Sequence, residues 1–194
     1  MIEKLMNGEK LAPFDCLVKP FLPIIPKKLL PNHLTFIRLV FTPALIVYLV
    51  AGEYRISFVI FILLAITDFL DGALARLRNQ ITEWGKVWDP VADKLLVGSV
   101  VAILLLKINL VLAVLVLVIE TTFILAGVVN KVSANPIGIQ ANNYGKIKMN
   151  LQCFGASFLM IGLFAAMPVL ISLAQIFFYI SVFFALISLL KKGI

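Results

Sequence analysis

The sequence contains few charged residues and few cysteines, and each scarcity excludes a class of protein. Charged residues make up 14% of the 194 residues, whereas an ordinary soluble domain contains about 25%. The two cysteines, Cys16 and Cys153, lack the spacing of a metal site and are expected to be unpaired thiols in a reducing compartment. The chain is therefore neither an ordinary soluble domain nor a disulfide-stabilised one.

Apolar residues are abundant instead, at 62% of the chain, with a mean hydropathy of +1.07. Most apolar stretches are near the roughly 20 residues that span a hydrocarbon core. They fall at 34–51, 56–75, 91–106, 108–130, 150–167 and 169–190. The sequence thus predicts an all-α polytopic membrane protein whose six transmembrane helices form one domain over residues 33–194. Residues 1–32, interrupted by prolines, are expected to form a short N-terminal juxtamembrane segment in the headgroup plane.

The distribution of lysine and arginine predicts the orientation in the membrane. With six spans, Arg55 and Lys107 are the only two of the 17 basic residues on one side. Because basic residues concentrate in cytoplasmic loops, we expect both termini and the loops after the second and fourth spans to be cytoplasmic. The predicted location is the cell membrane.

Four aspartates lie close together in this otherwise apolar sequence. Asp68 and Asp71 are spaced i,i+3, and Asp89 and Asp93 are spaced i,i+4, so each pair shares one helix face. Carboxylates at the edge of an apolar segment are unfavourable unless they bind something positive. Oxygen ligands without nearby cysteine or histidine suit a hard divalent cation, Mg²⁺, Mn²⁺ or Ca²⁺. The aspartates are therefore the candidate active site.

The residues around the aspartates predict a hollow with a basic edge. The second span should run to about Arg76, with the small residues Gly72 and Ala75 on nearly the same face as its aspartates. Arg76 can present a planar guanidinium group to phosphate. Asp89 followed by Pro90 predicts the N-cap and the first position of the next helix. The arrangement suits cation-bridged phosphate chemistry.

The same residues resemble the signature of the CDP-alcohol phosphotransferase family, which also has six spans. The residues that match it are Asp68, Asp71, Gly72, Ala75, Arg76, Gly85, Asp89 and Asp93. Upstream, Pro31–Thr35 followed by Arg38 is similar to the PNxLTxxR entry to the family's first span.

This resemblance implies a metal-dependent transferase. It implies that Asp68, Asp71, Asp89 and Asp93 hold two divalent ions, Mg²⁺ or Mn²⁺, and that Asp93 is also the catalytic general base. A homodimer is implied as well. The residues implied to bind the CDP-linked substrate are Asn32, Thr35, Asp68, Gly72, Ala75, Arg76 and Thr82.

Two segments resemble one branch of the family, the phosphatidylglycerolphosphate synthases. Trp88–Leu95 is similar to their LDPVADKL run, and Gly145–Lys148 to their GKxKT segment. Met149 stands where the threonine is usual, and Ile119 stands where an arginine usually precedes the glutamate of the fourth span. The resemblance implies transfer of a phosphatidyl group from CDP-diacylglycerol to a small alcohol, with release of CMP.

The acceptor alcohol stays open at this point. Glycerol 3-phosphate leads, ahead of inositol phosphate, serine and other polyols. Lys146 and Lys148 are candidates for binding an acceptor phosphate, or else they are basic residues flanking the fifth span. Glu120 either packs between helices or belongs to the polar site.

A small cation channel or transporter is the alternative from another class, because buried aspartates in a helical bundle are typical of both. It gives no reason for the fixed spacing of Gly72, Ala75, Arg76 and Gly85.

Overall fold

The computed structural model describes residues 20, 26, 30–78, 80, 82–132 and 143–191. In these residues the chain forms helices and no β-strand, which confirms the all-α prediction. The helices are α1 (Pro31–Val50), α2 (Tyr54–Leu77), α3 (Glu83–Ile108), α4 (Leu110–Val132), α5 (Asn143–Phe164) and α6 (Pro168–Lys191). Almost all of the interfacial segment predicted for residues 1–32 lies outside the described residues.

The helices are those of a membrane protein. Four of them, α1, α2, α5 and α6, contain stretches long and apolar enough to cross a bilayer. The described apolar part of α4, Leu110–Ala126, is shorter, and α3 carries the second aspartate pair near its start. Many large apolar side chains are exposed, such as Val169 at 76% and Leu190 at 81%. A surface this apolar suits hydrocarbon rather than water, so the chain is a polytopic membrane protein.

The chain divides into two compact units. The described part of the first comprises residues 20, 26, 30–44, 60–78, 80 and 82–96, and that of the second comprises residues 45–59, 97–132 and 143–191. Helices α1, α2 and α3 contribute residues to both units. The core of the first unit includes Leu34, Phe61, Leu64, Leu74 and Leu96. The core of the second includes Leu104, Leu112, Leu159, Met160 and Phe178.

Helix α1 ends at a glycine that reverses the chain. Gly52 has φ of +84°, which glycine adopts without the steric penalty of a side chain. Its N–H donates to the Leu49 carbonyl, and the Glu53 N–H donates to the Tyr48 carbonyl, the pattern of a Schellman cap. The Lys107 ammonium group, from α3, donates to the carbonyls of Leu49 and Val50 at 3.1 and 3.2 Å. These last carbonyls of α1 are therefore paired.

Helix α3 begins seven residues before the predicted start. Asp89 is not its N-cap, and Pro90 lies inside the helix. The N-cap is Thr82, whose Oγ1 accepts a hydrogen bond from the Gly85 N–H at 3.0 Å, as an N-cap hydroxyl does. The Asp–Pro pair was therefore a wrong prediction of the helix start, and both Asp89 and Asp93 project from an already formed helix.

In the second unit, α5 and α6 form a closely packed hairpin. A Cβ atom on Gly155 would lie 3.0 Å from the Phe178 ring, and one on Gly162 would lie 2.9 Å from Ile171. The absence of these side chains lets the two helix backbones approach, a device common in membrane helices.

Candidate active site

The first unit brings the signature aspartates together around one side chain, Arg38 of α1. Its guanidinium group forms ion pairs with Asp68 at 2.8 Å and, also at short range, with Asp71 and Asp93. Arg38 has no exposed surface. Its two terminal nitrogens therefore join carboxylates from α2 and α3, helices that are separate in the sequence.

Thr35, one turn before Arg38 on α1, contacts the remaining aspartate. Its hydroxyl donates to Asp89 Oδ1 at 2.5 Å and lies 3.4 Å from Asp71 Oδ2. Thr35 is also buried. Thr35 and Arg38 are spaced i,i+3 on α1, which places their side chains on one helix face. Together these two side chains contact all four aspartates.

The chemistry of the four carboxylates fits a divalent cation. All their donors are oxygen atoms, which hard cations prefer, and Asp68 is 36% exposed while Asp71 is 3% exposed. Across the described residues, however, no three carboxylate, imidazole or thiolate groups converge on one point as a ready metal site. The guanidinium group of Arg38 lies among the carboxylates instead.

A hydrogen-bonded chain connects the start of α1 with the start of α3. The Thr82 hydroxyl donates to Asn32 Oδ1 at 2.8 Å while it caps α3 through Gly85. A Cβ atom on Gly85 would lie 3.1 Å from Thr82 Oγ1 and 3.3 Å from both Asn32 Oδ1 and Asp89 Oδ2. Gly85 is therefore a position where only hydrogen fits without moving polar groups of the site.

We expect Gly85→Ala to displace the cap and Asp89 by a few tenths of an ångström, at a cost of about 1–3 kcal/mol in folding free energy, typical of overpacking. Turnover should fall by about tenfold, because small displacements of catalytic groups reduce rates strongly. Thermal unfolding in detergent and an activity assay measure the two effects. Gly98→Ala is the matched control on the same helix, since a Cβ atom there meets nothing within 4 Å. Equal melting temperatures and equal turnover of the Gly85→Ala and Gly98→Ala variants would contradict this account of Gly85.

The remaining signature residues lie at the end of α2. A Cβ atom on Gly72 would lie 3.4 Å from the guanidinium group of Arg76, so Arg76 folds back over the glycine. Ala75 accepts a backbone hydrogen bond from the Gln80 N–H at 3.0 Å. Gly72, Ala75 and Arg76 are each partly exposed.

The second unit contains a separate polar cluster. Glu120 Oε1 of α4 accepts hydrogen bonds from Lys148 Nζ at 2.5 Å and from Gln152 Nε2 at 2.9 Å. The Lys148 ammonium group also lies 4.6 Å from the centre of the Phe123 ring. Lys148 and Gln152 are buried, whereas Lys146 is exposed. Glu120 therefore has an ionic partner, and Lys148 shares its charge with it.

Arg38 is the residue of the site to which the sequence alone assigned no role. The signal was present in part, because Arg38 is the last residue of the PNxLTxxR segment and one turn after Thr35. Only the fold shows that this arginine reaches three of the four aspartates.

Comparison with known proteins agrees with the signature. The family model described as CDP-alcohol phosphatidyltransferase matches residues 28–187, and members of this family generally depend on a divalent metal ion.

Several curated relatives are named CDP-diacylglycerol–glycerol-3-phosphate 3-phosphatidyltransferase. The protein from Rickettsia felis is 34% identical over 138 residues, which cover 70% of this chain and 76% of the relative. The protein from Bacillus subtilis is 31% identical over 175 residues, which cover 82% and 90%. The protein from Salmonella choleraesuis is 47% identical over 72 residues, which cover 36% and 40%.

Proposed function

Because the chain belongs to the CDP-alcohol phosphatidyltransferase family, we propose that it transfers the phosphatidyl group of CDP-diacylglycerol to glycerol 3-phosphate. The products are phosphatidylglycerol phosphate and CMP. The protein is a membrane enzyme of phospholipid synthesis, and the family match favours this chemistry over a channel or transporter. The shared name of the relatives favours glycerol 3-phosphate over inositol phosphate, serine or another polyol.

The observation that carries the proposal is the convergence of Asp68, Asp71, Asp89 and Asp93 through Arg38 and Thr35. We assign the four carboxylates to two divalent ions, Mg²⁺ or Mn²⁺. Held by these carboxylates, such ions would neutralise a diphosphate and stabilise the charge on the departing CMP.

Asp93 is the proposed general base. Its side chain is 20% exposed, so an acceptor hydroxyl can reach it. Asp93 would take the proton of that hydroxyl as the oxygen attacks the phosphorus.

The CDP moiety is assigned to residues of the first unit. Arg76, folded over Gly72, presents its guanidinium group to the diphosphate. Asn32, Thr35, Ala75 and Thr82 are assigned to the nucleotide and its phosphates. The topology is part of the same proposal: both termini and the site are cytoplasmic. Residues 1–32 lie at the membrane surface, and residues 33–194 form the membrane domain. The enzyme is proposed to be a homodimer.

One assay tests the function. Purified protein with Mn²⁺ or Mg²⁺ and CDP-diacylglycerol is offered a panel of acceptors, and CMP release and the lipid product are measured. We expect release to require the metal and to be greatest with glycerol 3-phosphate. Metal-independent release, or a different preferred acceptor, would overturn the corresponding part of the proposal.

Lys146 and Lys148 are assigned to the acceptor phosphate, and Lys146 offers the more available charge because Lys148 is paired with Glu120. We expect Lys146→Gln to raise the KM for glycerol 3-phosphate about tenfold, the value of one charge-assisted hydrogen bond. The KM for CDP-diacylglycerol should stay unchanged. Arg55→Gln, which removes one exposed positive charge from the start of α2, is the control. Equal changes in both KM values would instead assign Lys146 to the lipid interface or the fold.

A further inference from the structure

The most unusual feature of the first unit is a fully buried arginine at the centre of four carboxylates. Arg38 pairs with Asp68, Asp71 and Asp93, while Thr35 pairs with Asp89. The four carboxylates and one guanidinium group carry a formal charge of −3. Carboxylates this close repel one another strongly in a poorly solvated site, so without Arg38 the cluster would carry a charge of −4 with no internal cation.

The position of the guanidinium group matters as much as its charge. It lies among the carboxylates, and within the described residues no three of the potential ligands converge on one point. A divalent ion that bound Asp68, Asp71 and Asp93 would bind the carboxylates that Arg38 now contacts through one oxygen atom each. The two cations therefore compete for one set of ligands.

Two observations indicate which ion pair of Arg38 is released most easily and that its guanidinium group is incompletely paired. Asp68 is the most exposed of its three partners, at 36% against 20% for Asp93 and 3% for Asp71. The Nε atom of Arg38 is buried and has no hydrogen-bond partner among the described residues, an unfavourable state for a charged donor. The present contacts therefore do not satisfy the whole guanidinium group.

We propose that Arg38 is a built-in counter-ion of the aspartate cluster, which holds Asp68, Asp71 and Asp93 together without metal and releases Asp68 when a divalent ion enters. Arg38 is then a positioning residue, because it acts on the substrate only through the aspartates. The inference rests on the proposed function in so far as that function places divalent ions on these aspartates.

The test measures Mn²⁺ binding to the purified, chelator-treated protein by the loss of the free-ion electron paramagnetic resonance signal. Arg38→Gln removes the competing charge, so the Mn²⁺ dissociation constant should fall by about tenfold or more. The metal-free melting temperature of this variant should also fall, and saturating Mn²⁺ should raise it by more than it raises that of the wild type. A residue that merely filled space would not tighten Mn²⁺ binding.

Arg38→Lys separates charge from geometry. A lysine keeps the positive charge but cannot span three carboxylates as the planar guanidinium group does. The Mn²⁺ dissociation constant should therefore stay close to that of the wild type, while kcat falls. Lys107→Gln is the control, since it removes a cation bound to backbone carbonyls rather than to aspartates, and it should leave Mn²⁺ binding unchanged.

If Arg38→Gln alone does not fold, the double variant Asp68→Asn with Arg38→Gln decides the question. Removing one carboxylate together with its counter-ion should restore a folded, metal-free protein. A double variant that also fails to fold, or an Arg38→Gln variant that binds Mn²⁺ no more tightly than the wild type, would overturn the proposal. The Mn²⁺ dissociation constant and the melting temperature do not measure transfer, so a chain that released no CMP would refute the proposed function and leave the result on Arg38 standing.

Discussion

Replacing Asp93 by asparagine should reduce kcat by about 10²–10⁴-fold, the usual contribution of a general base. The substitution keeps the size of the side chain but removes both its charge and its ability to take a proton. Because Asp93 is also assigned as a ligand of the divalent ions, metal affinity should fall too, so kcat is to be measured at saturating Mn²⁺.

The same carboxylate-to-amide change at Glu53 is the control for this prediction. Glu53 is exposed and lies between α1 and α2, in the second unit. Glu53→Gln should leave turnover unchanged and show that loss of a charge is not harmful in itself. An Asp93→Asn enzyme that retained more than about a tenth of wild-type kcat at saturating Mn²⁺ would exclude Asp93 as the base.

Lys148→Gln should be among the most destabilising single substitutions in the second unit. It leaves the Glu120 carboxylate, which is only 18% exposed, without its ionic partner. Removing one member of a buried ion pair costs about 3–5 kcal/mol, and thermal unfolding in detergent should show a correspondingly lower melting temperature.

The double variant Glu120→Gln with Lys148→Gln should recover much of this loss, because two neutral amides can hydrogen-bond to each other and to Gln152. The comparison separates a structural effect from one on the acceptor. If the single and double variants melt at the same temperature, the ion pair is not what stabilises this cluster.

The sequence predicted the aspartate cluster because its information is local. Spacings of three and four residues place Asp68 with Asp71 and Asp89 with Asp93 whatever the rest of the chain does. Arg38 lies 30 residues before the first of them, and its contacts arise from packing between helices. No periodicity within one helix reports such a contact, so the PNxLTxxR segment pointed to Arg38 without showing which side chains it contacts.

The start of α3 shows how one local rule can mislead when another competes with it. Asp89–Pro90 is a good helix start, but Thr82 with Gly85 is one as well. The contact between Thr82 and Asn32, from a different helix, favours the earlier start. Pro90 then lies inside α3, where it has no N–H group to donate a hydrogen bond to the helix.

The location of Arg38 on the first helix bears on how the protein enters the bilayer. Helices emerge from the ribosome in chain order, so α1 is made before the helix that carries Asp68 and Asp71. An aspartate opposes the insertion of a membrane helix, by about 2.5–3.5 kcal/mol at the helix centre and by less toward the end of α2, where Asp68 and Asp71 lie. A buried arginine on the preceding helix offers both of them a partner during synthesis, before any cofactor is acquired. We therefore expect the residue that organises the finished site also to ease the integration of the helix that forms half of it.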